Sequence, residues 1–458
     1  LPSKSTATDS FWARSFFFTL LQRFSLIFFG LASFFLLTHF FLDKAEVGVF
    51  ALFQTTITMV EYLKMGLLRN ALIKLRFDKS FANKPREVYM ASLFINIVFS
   101  AFVVLVLLTC SDKIAHLLKS DELGSLLRLS CLLVVAQVPF SHCEIIQQSV
   151  MNYRISFYAY FIRQGLFFLF IAAALVSQTD FVSNHSLVMA QIGALTVSTI
   201  YYLYRSYALF RGPVHINMLF VRKLLSFGRY VFGTALLSYL YKFADHFLTA
   251  YLIPNALLGK VYVSYYNVVS RVSNVLDVPF MAVADVLFPK NAIALAEEGP
   301  AKVKYYFERM VGILTALIVP VSLIILVLPG VVIRIIAGPA YLPATPILQL
   351  TMTFAFLRPF YGQFGFTIDS IGKPQVNFWV NALCLTISLL STFASIHYLG
   401  GLMGAAYANV FTLVMGSGIF YFVLRKHLDI SLANIFRYAA ATYTDLFSLI
   451  KSRLVKQS

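Results

Sequence analysis

Long apolar runs, broken at intervals by short polar stretches, fill the chain from Phe16 to Leu424. A helix needs about 20 such residues to cross a hydrocarbon core roughly 30 Å thick. The runs match that length and far exceed the alternating segments of about 10 residues that build a membrane barrel. Only helices and closed barrels satisfy their backbone polar groups in lipid, so the pattern predicts an all-α membrane protein. Twelve transmembrane helices are predicted, near 16–42, 47–68, 88–110, 123–148, 155–178, 186–208, 226–252, 261–288, 308–329, 342–368, 376–397 and 401–424. Pro and Gly mark the turns, as at Pro85, Gly212-Pro213, Pro254 and Gly372-Lys373-Pro374.

Composition agrees with the pattern. Charged residues make up 12% of the 458 positions, against about a quarter in soluble domains. The net charge of +17 is unevenly placed. Loops on the side predicted to hold both termini carry 24 Lys and Arg, and the opposite side carries only Lys44, Lys113, Lys119, Lys260 and Arg334. The positive-inside bias therefore predicts cytoplasmic termini. It also accounts for the charge without nucleic acid, and no basic platform interleaved with aromatics is present. Cys110, Cys131, Cys143 and Cys384 lie in or beside apolar runs without metal-ligand spacing, so no metal or other cofactor is expected. The chain begins at Leu1 rather than Met, so residues are expected to precede it. The sequon Asn184-His185-Ser186 reads as chance in a chain of bacterial character. Residues 429–458 place Leu432, Ile435, Phe436, Ala439 and Tyr443 at helical spacing but include Arg437, Asp445 and Lys451. They predict an amphipathic helix at the cytoplasmic interface.

The polar connections before the second and eighth helices are similar. Each is short, reaches a Gly (Gly48, Gly259) and passes at once into β-branched and aromatic residues. This predicts two six-helix bundles, 1–210 and 226–428, joined by a cytoplasmic linker at 211–225. A pseudo-two-fold along the membrane normal would relate them, and the tail 429–458 would follow.

Several stretches carry a resemblance. They include 43–48 with Gly66-Leu67, Leu224-Leu225-Ser226-Phe227-Gly228, Asp245, Leu258-Gly259-Lys260-Val261-Tyr262, Pro279 and Leu287-Phe288-Pro289. Ile371-Gly372-Lys373-Pro374 and 400–408 continue it. Together they resemble the polysaccharide transporter family (Wzx-type oligosaccharide flippases), in the superfamily that also holds MATE transporters and the lipid II flippase. The resemblance implies a MATE-like fold of two bundles around a central cavity, alternating between inward and outward states in a bacterial inner membrane. The implied substrate is an oligosaccharide linked to undecaprenyl diphosphate. Implied partners are membrane lipids and the polymerase and chain-length regulator of the same pathway, with the chain working as a monomer.

Eight basic residues fall inside or at the edge of predicted helices. A charge at a helix centre costs roughly 2.5–3.5 kcal/mol on insertion scales. Arg128 and Arg229 are near helix ends and can snorkel. Arg23, Lys64, Arg163, Lys242, Arg271 and Arg358 must face a bundle interior, a wet cavity or a partner. These six are the candidate substrate contacts, because guanidinium and ammonium groups replace the hydration of a diphosphate with charge-assisted hydrogen bonds. Among intramembrane acids, Asp245 beside His246 is the first candidate for ion coupling, Glu144 near His142 the second, and Glu61 a third. Helical spacing puts Glu61 with Lys64, Lys242 with Asp245 and His246, and Arg271 in line with Asp285. Structural pairing and cavity lining are both open for Glu61 and Lys64.

No Gly-x-x-x-x-Gly-Lys-Ser/Thr loop is present to bind ATP. A cation or multidrug antiporter should favour acidic over basic intramembrane residues, the reverse of what is seen. A lipid II flippase would have fourteen spans. A polymerase or ligase would need a larger outer loop than the dozen or so residues near 111–122 and 330–341, so no enzymatic activity is expected.

Overall fold

The computed structural model describes the backbone of residues 4–77, 84–150, 152–178, 181–210 and 215–457. Within these it describes every side chain except 4–16, 70, 73–77, 208, 210, 227, 230, 282–290, 292, 293, 296 and 446–457. All regular structure among the described residues is helical. In chain order the helices are α1 (Lys4–Leu36, ending in a π turn at Leu37–Phe41), α2 (Lys44–Phe77), α3 (Pro85–Leu117), α4 (Asp121–Ser149) and α5 (Tyr153–Val176). Next come α6 (Asn184–Phe210), α7 (Met218–Leu252), α8 (Ala256–Glu297), α9 (Pro300–Val327) and α10 (Pro329–Ala337). The last five are α11 (Thr345–Thr353), α12 (Arg358–Ser370), α13 (Pro374–Leu399), α14 (Gly404–Leu428) and α15 (Leu432–Gln457).

Eight of these, among the described residues, are long and apolar enough to span a bilayer: α1, α3, α4, α5, α6, α9, α13 and α14. A ninth span is the pair Pro339–Thr353 and Ala355–Ser370, bent by 45°. The bend has a local cause. Pro359, at the start of α12, has no N–H for the carbonyl four residues back, so one continuous helix over 342–368 does not form. Helices α2, α7 and α8 have 34, 35 and 42 residues, but their apolar runs are interrupted by Glu61 and Lys64, Lys242 and Asp245, and Arg271 and Asp277. These three helices carry the candidate residues Glu61, Lys64, Lys242, Asp245, His246 and Arg271, while Arg23, Glu144 and Arg163 lie within the apolar spans α1, α4 and α5.

The outer surface is apolar. Phe102, Leu105 and Leu108 of α3 are more than half exposed, as are Leu323 and Ile324 of α9. Such a surface is stable where hydrocarbon is the solvent. The protein is a multi-pass membrane protein.

The chain divides into two compact units. The first comprises Leu1–Asn267 and Ile336–Gly338, and the second Val268–Ile335 and Pro339–Ser458. In the first unit α3 packs on α4, α1 on α5, α4 on α6 and α2 on α7. Asp43 and Glu46 form a reciprocal capping box at the start of α2, their backbone N–H groups donating at 2.9 and 2.8 Å to each other's carboxylates. Gly48 follows because α2 there lies directly against the Lys260 backbone carbonyl, and a Cβ would occupy that oxygen's place. Further along, Gly228 of α7 meets the Leu67 carbonyl in the same way. Between them the Tyr239 hydroxyl donates to the Thr55 carbonyl at 2.7 Å. These contacts explain Asp43, Glu46 and Gly48 in the first stretch and Gly228 in the second.

In the second unit α13 packs on α14, α11 and α12 pack on α9 and α14, and α15 packs on α9. The residues predicted as an interfacial tail thus form a helix seated on α9. Buried Glu308 accepts from the Ser431 backbone N–H at 2.7 Å and from Asn434 Nδ2 at 3.0 Å, holding the first turn of α15. Gly312 lets the Ile435 carbonyl and Ala439 nitrogen approach, and the Tyr443 hydroxyl donates to the Ala316 carbonyl at 2.6 Å.

Candidate functional site

The first unit holds a polar cluster inside α2, α4 and α5. Arg163 Nη2 donates to Glu61 Oε1 at 3.2 Å. The same guanidinium lies 5.4 Å from the centroid of the Phe140 ring, a cation–π contact. Phe140 meets Tyr160 and Tyr202 edge-on at 5.4 and 5.1 Å. The Tyr160 hydroxyl donates to Glu144 Oε1 at 2.9 Å, and Gln148 Nε2 donates to the same oxygen at 3.0 Å. Glu144 also lies within electrostatic reach of Glu61, Arg69 and Arg163. One turn along α2 from Glu61, Lys64 is 1% exposed and its Nζ has no hydrogen-bond partner among the described residues. It borders a small cleft with Glu61 and Gln137, whose Oε1 is also without a partner among the described residues.

Glu61 and Lys64 share a face of α2, but Glu61 makes its ion pair with Arg163 of α5. Spacing along one helix could not reveal a partner 102 residues away. Glu144 joins the cluster through Tyr160, and its neighbour His142 is buried on the same helix. Tyr160 and Gln137 are cluster members that the sequence did not single out. A polar stretch inside α4, from Gln137 to Ser149, was the available signal.

On α7, Asp245 and His246 are buried and joined to each other. Asp245 Oδ1 accepts from the His246 backbone N–H and meets His246 Nδ1, each at 2.8 Å. Lys242 is exposed on the same helix, with Nζ 5.7 Å from the Phe243 ring. Arg23 is half-buried on α1.

The second unit holds a separate pair. Arg358 Nη2 and Nε both donate to Asp277 Oδ1, at 2.6 and 3.2 Å. The pair ties α8 to the first residue of α12, at the bend. Arg271, also on α8, is half-buried. The expected alignment of Arg271 with Asp285 falls outside the described residues, because the Asp285 side chain is not among them. Arg128 forms an exposed pair with Asp112 at 3.0 Å, in keeping with a helix-end position. Asn184 of the sequon is buried, and its Nδ2 donates to Glu122 Oε1 at 2.9 Å.

A family model described as "Polysaccharide biosynthesis protein" matches residues 40–346. An uncharacterised membrane protein of Methanocaldococcus jannaschii is 28% identical over 242 residues, 52% of this chain and 45% of that protein. The chain thus matches a little under half the length of that curated relative. Among solved structures, an inward-facing multidrug resistance MATE family transporter of the MOP superfamily aligns with a TM-score of 0.73 at 12% identity. That alignment covers 88% of this chain and 94% of the other. The lipid II flippase MurJ, in an inward closed conformation, aligns at 0.70 and 13% identity over 95% and 92%. A MOP superfamily transporter from Pyrococcus furiosus, described as having a binding pocket of reversed polarity that suggests a different function, aligns at 0.69 and 14% identity over 91% and 95%. At these identities the likeness establishes the fold.

Proposed function

This chain belongs to the polysaccharide biosynthesis protein family, and we propose that it is the member that moves a lipid-linked oligosaccharide from the cytoplasmic to the outer leaflet. The family match carries this reading, because polysaccharides built on one side of a membrane require their precursors to cross it. The MOP-type fold supports it, since that scaffold serves a transporter and a lipid II flippase among its neighbours. The cations inside α1, α2, α5, α7, α8 and α12 supply the chemistry. A diphosphate head cannot cross hydrocarbon unaided, and Arg and Lys within helices offer it charge-assisted hydrogen bonds.

The substrate class is an oligosaccharide on undecaprenyl diphosphate, moved by alternating access with no covalent step. Arg23, Lys64, Arg163, Lys242, Arg271 and Arg358 are its contacts, and Asp245, His246, Glu144 and Glu61 are the coupling candidates. Arg163 and Arg358 are held by carboxylates, so phosphate must compete with Glu61 and Asp277 for them. Lys64 has no such tie: among the described residues its ammonium has no hydrogen-bond acceptor, and Glu61 one turn away is engaged by Arg163. The protein acts in a bacterial inner membrane with both termini cytoplasmic.

The test is leaflet exchange of fluorescent undecaprenyl-diphosphate oligosaccharide in liposomes, with and without a pH gradient. Exchange above protein-free vesicles is expected, with a loss of at least about tenfold in Arg271→Ala at unchanged insertion and folding. No exchange under either condition rejects the reading, and normal exchange in the variant rejects the role of Arg271.

A further inference from the structure

Where α15 meets α9, two arginines bracket a pair of tyrosines. Arg309 Nη1 donates to the Tyr305 hydroxyl at 2.6 Å, and its guanidinium lies 5.8 Å from the Tyr305 ring. That ring meets Tyr438 edge-on at 5.9 Å, and the Arg437 guanidinium lies 5.7 Å from the Tyr438 ring. The result is a continuous row of cation, ring, ring and cation across two helices. Both arginines are exposed, and neither has a carboxylate partner among the described residues.

The row is held from beneath. Buried Glu308 binds Asn434 Nδ2, and Asn434 Oδ1 accepts from Arg437 Nη2 at 3.1 Å. The Glu308 carboxylate thus reaches Arg437 through one amide, fixing the guanidinium without neutralising it. Beside the row, α15 turns an apolar stripe outward: Leu432, Phe436 and Tyr443 are 43, 59 and 43% exposed. Uncompensated guanidinium groups on tyrosine rings, next to exposed large apolar side chains, match the boundary between headgroups and acyl chains.

We propose that Arg309, Tyr305, Tyr438 and Arg437 form a binding row for anionic phospholipid, a headgroup phosphate at each arginine, with the acyl chains lying on Leu432, Phe436 and Tyr443. Guanidinium favours phosphate in bidentate geometry, and two of them select anionic over zwitterionic headgroups. The site anchors α15 to the leaflet and thereby holds α9 at a set depth.

The experiment uses the full chain in nanodiscs of phosphatidylcholine alone or mixed equally with phosphatidylglycerol. Lipid retained after detergent extraction is counted by native mass spectrometry, alongside the melting temperature. The wild type is expected to retain phosphatidylglycerol and to melt higher in the mixed discs. Arg309→Gln with Arg437→Gln is expected to weaken retention about fivefold per arginine and to erase the melting difference. In phosphatidylcholine alone, variant and wild type are expected to melt alike, which separates lost lipid from lost folding. Equal retention by wild type and double variant overturns the proposal. So does retention confined to undecaprenyl phosphate, which would make the row a substrate contact, or a matching melting rise produced by free inorganic phosphate. The outcome does not depend on whether the protein transports oligosaccharide.

Discussion

Each unit carries a partly buried arginine–carboxylate pair within its helices, and the two are built differently. The pairs are similarly shielded: Arg163 and Glu61 are 16 and 28% exposed, Arg358 and Asp277 20 and 25%. Around Arg163 the structure supplies alternatives, namely a phenyl face, a second carboxylate and a tyrosine that orients it. Around Arg358 both contacting nitrogens converge on one oxygen of one carboxylate, at a helix break. A cation with several neighbours can lose one and be re-solvated by the rest. A cation pinned by a single group cannot. The comparison suggests that the first pair tunes a network while the second holds a joint.

The largest effect is expected from Asp277→Ala, which leaves Arg358 without its pinning carboxylate. Breaking such a pair on one side costs about 3–5 kcal/mol, read as a lower melting temperature in detergent. Adding Arg358→Met should recover much of that loss, since removing both charges removes the stranded one. If Asp277→Ala melts like the wild type, the joint is held by something else. Glu61→Ala should cost less, about 1–3 kcal/mol, because Glu144 can take over Arg163. Glu61→Ala combined with Glu144→Ala should then exceed the sum of the single changes. Simple additivity would remove the network from the first unit and with it the contrast. The smallest change, Tyr160→Phe, deletes one hydrogen bond to Glu144 and should lower stability by about 1 kcal/mol.

Much of the fold was legible in the sequence because the signal was local. An apolar run long enough to span declares itself, and Asp43, Glu46 and Gly48 mark a helix start by chemistry that acts within six residues. The charged positions in α2, α7 and α8 were equally visible, since each interrupts such a run. Their partners were not. Helical spacing reports only neighbours one turn apart, so it joined Glu61 to Lys64 and offered nothing for Asp277. The observed partners come from other helices, 102 and 81 residues away. The break before α12 does not appear in the single span predicted over 342–368: Pro359 stands in that run, but its coincidence with Arg358 and the Asp277 tie needed the packed structure. Glu308 went unnoticed because it sits among basic residues near a helix start, where an acid looks like surface. Its burial follows only once α15 docks on α9.

The seam between α2 and α7 also bears on how the protein is made. Thr55 and its partner Tyr239 are separated by 184 residues. At ribosomal speeds of about 5–20 residues per second, roughly 10–40 s pass between the emergence of the two. Throughout that interval the face of α2 bearing Thr55 and Gly66 has been synthesised without the helix that will cover it. Biogenesis of the first unit therefore depends on the insertion machinery keeping a half-finished bundle open until its seventh helix arrives.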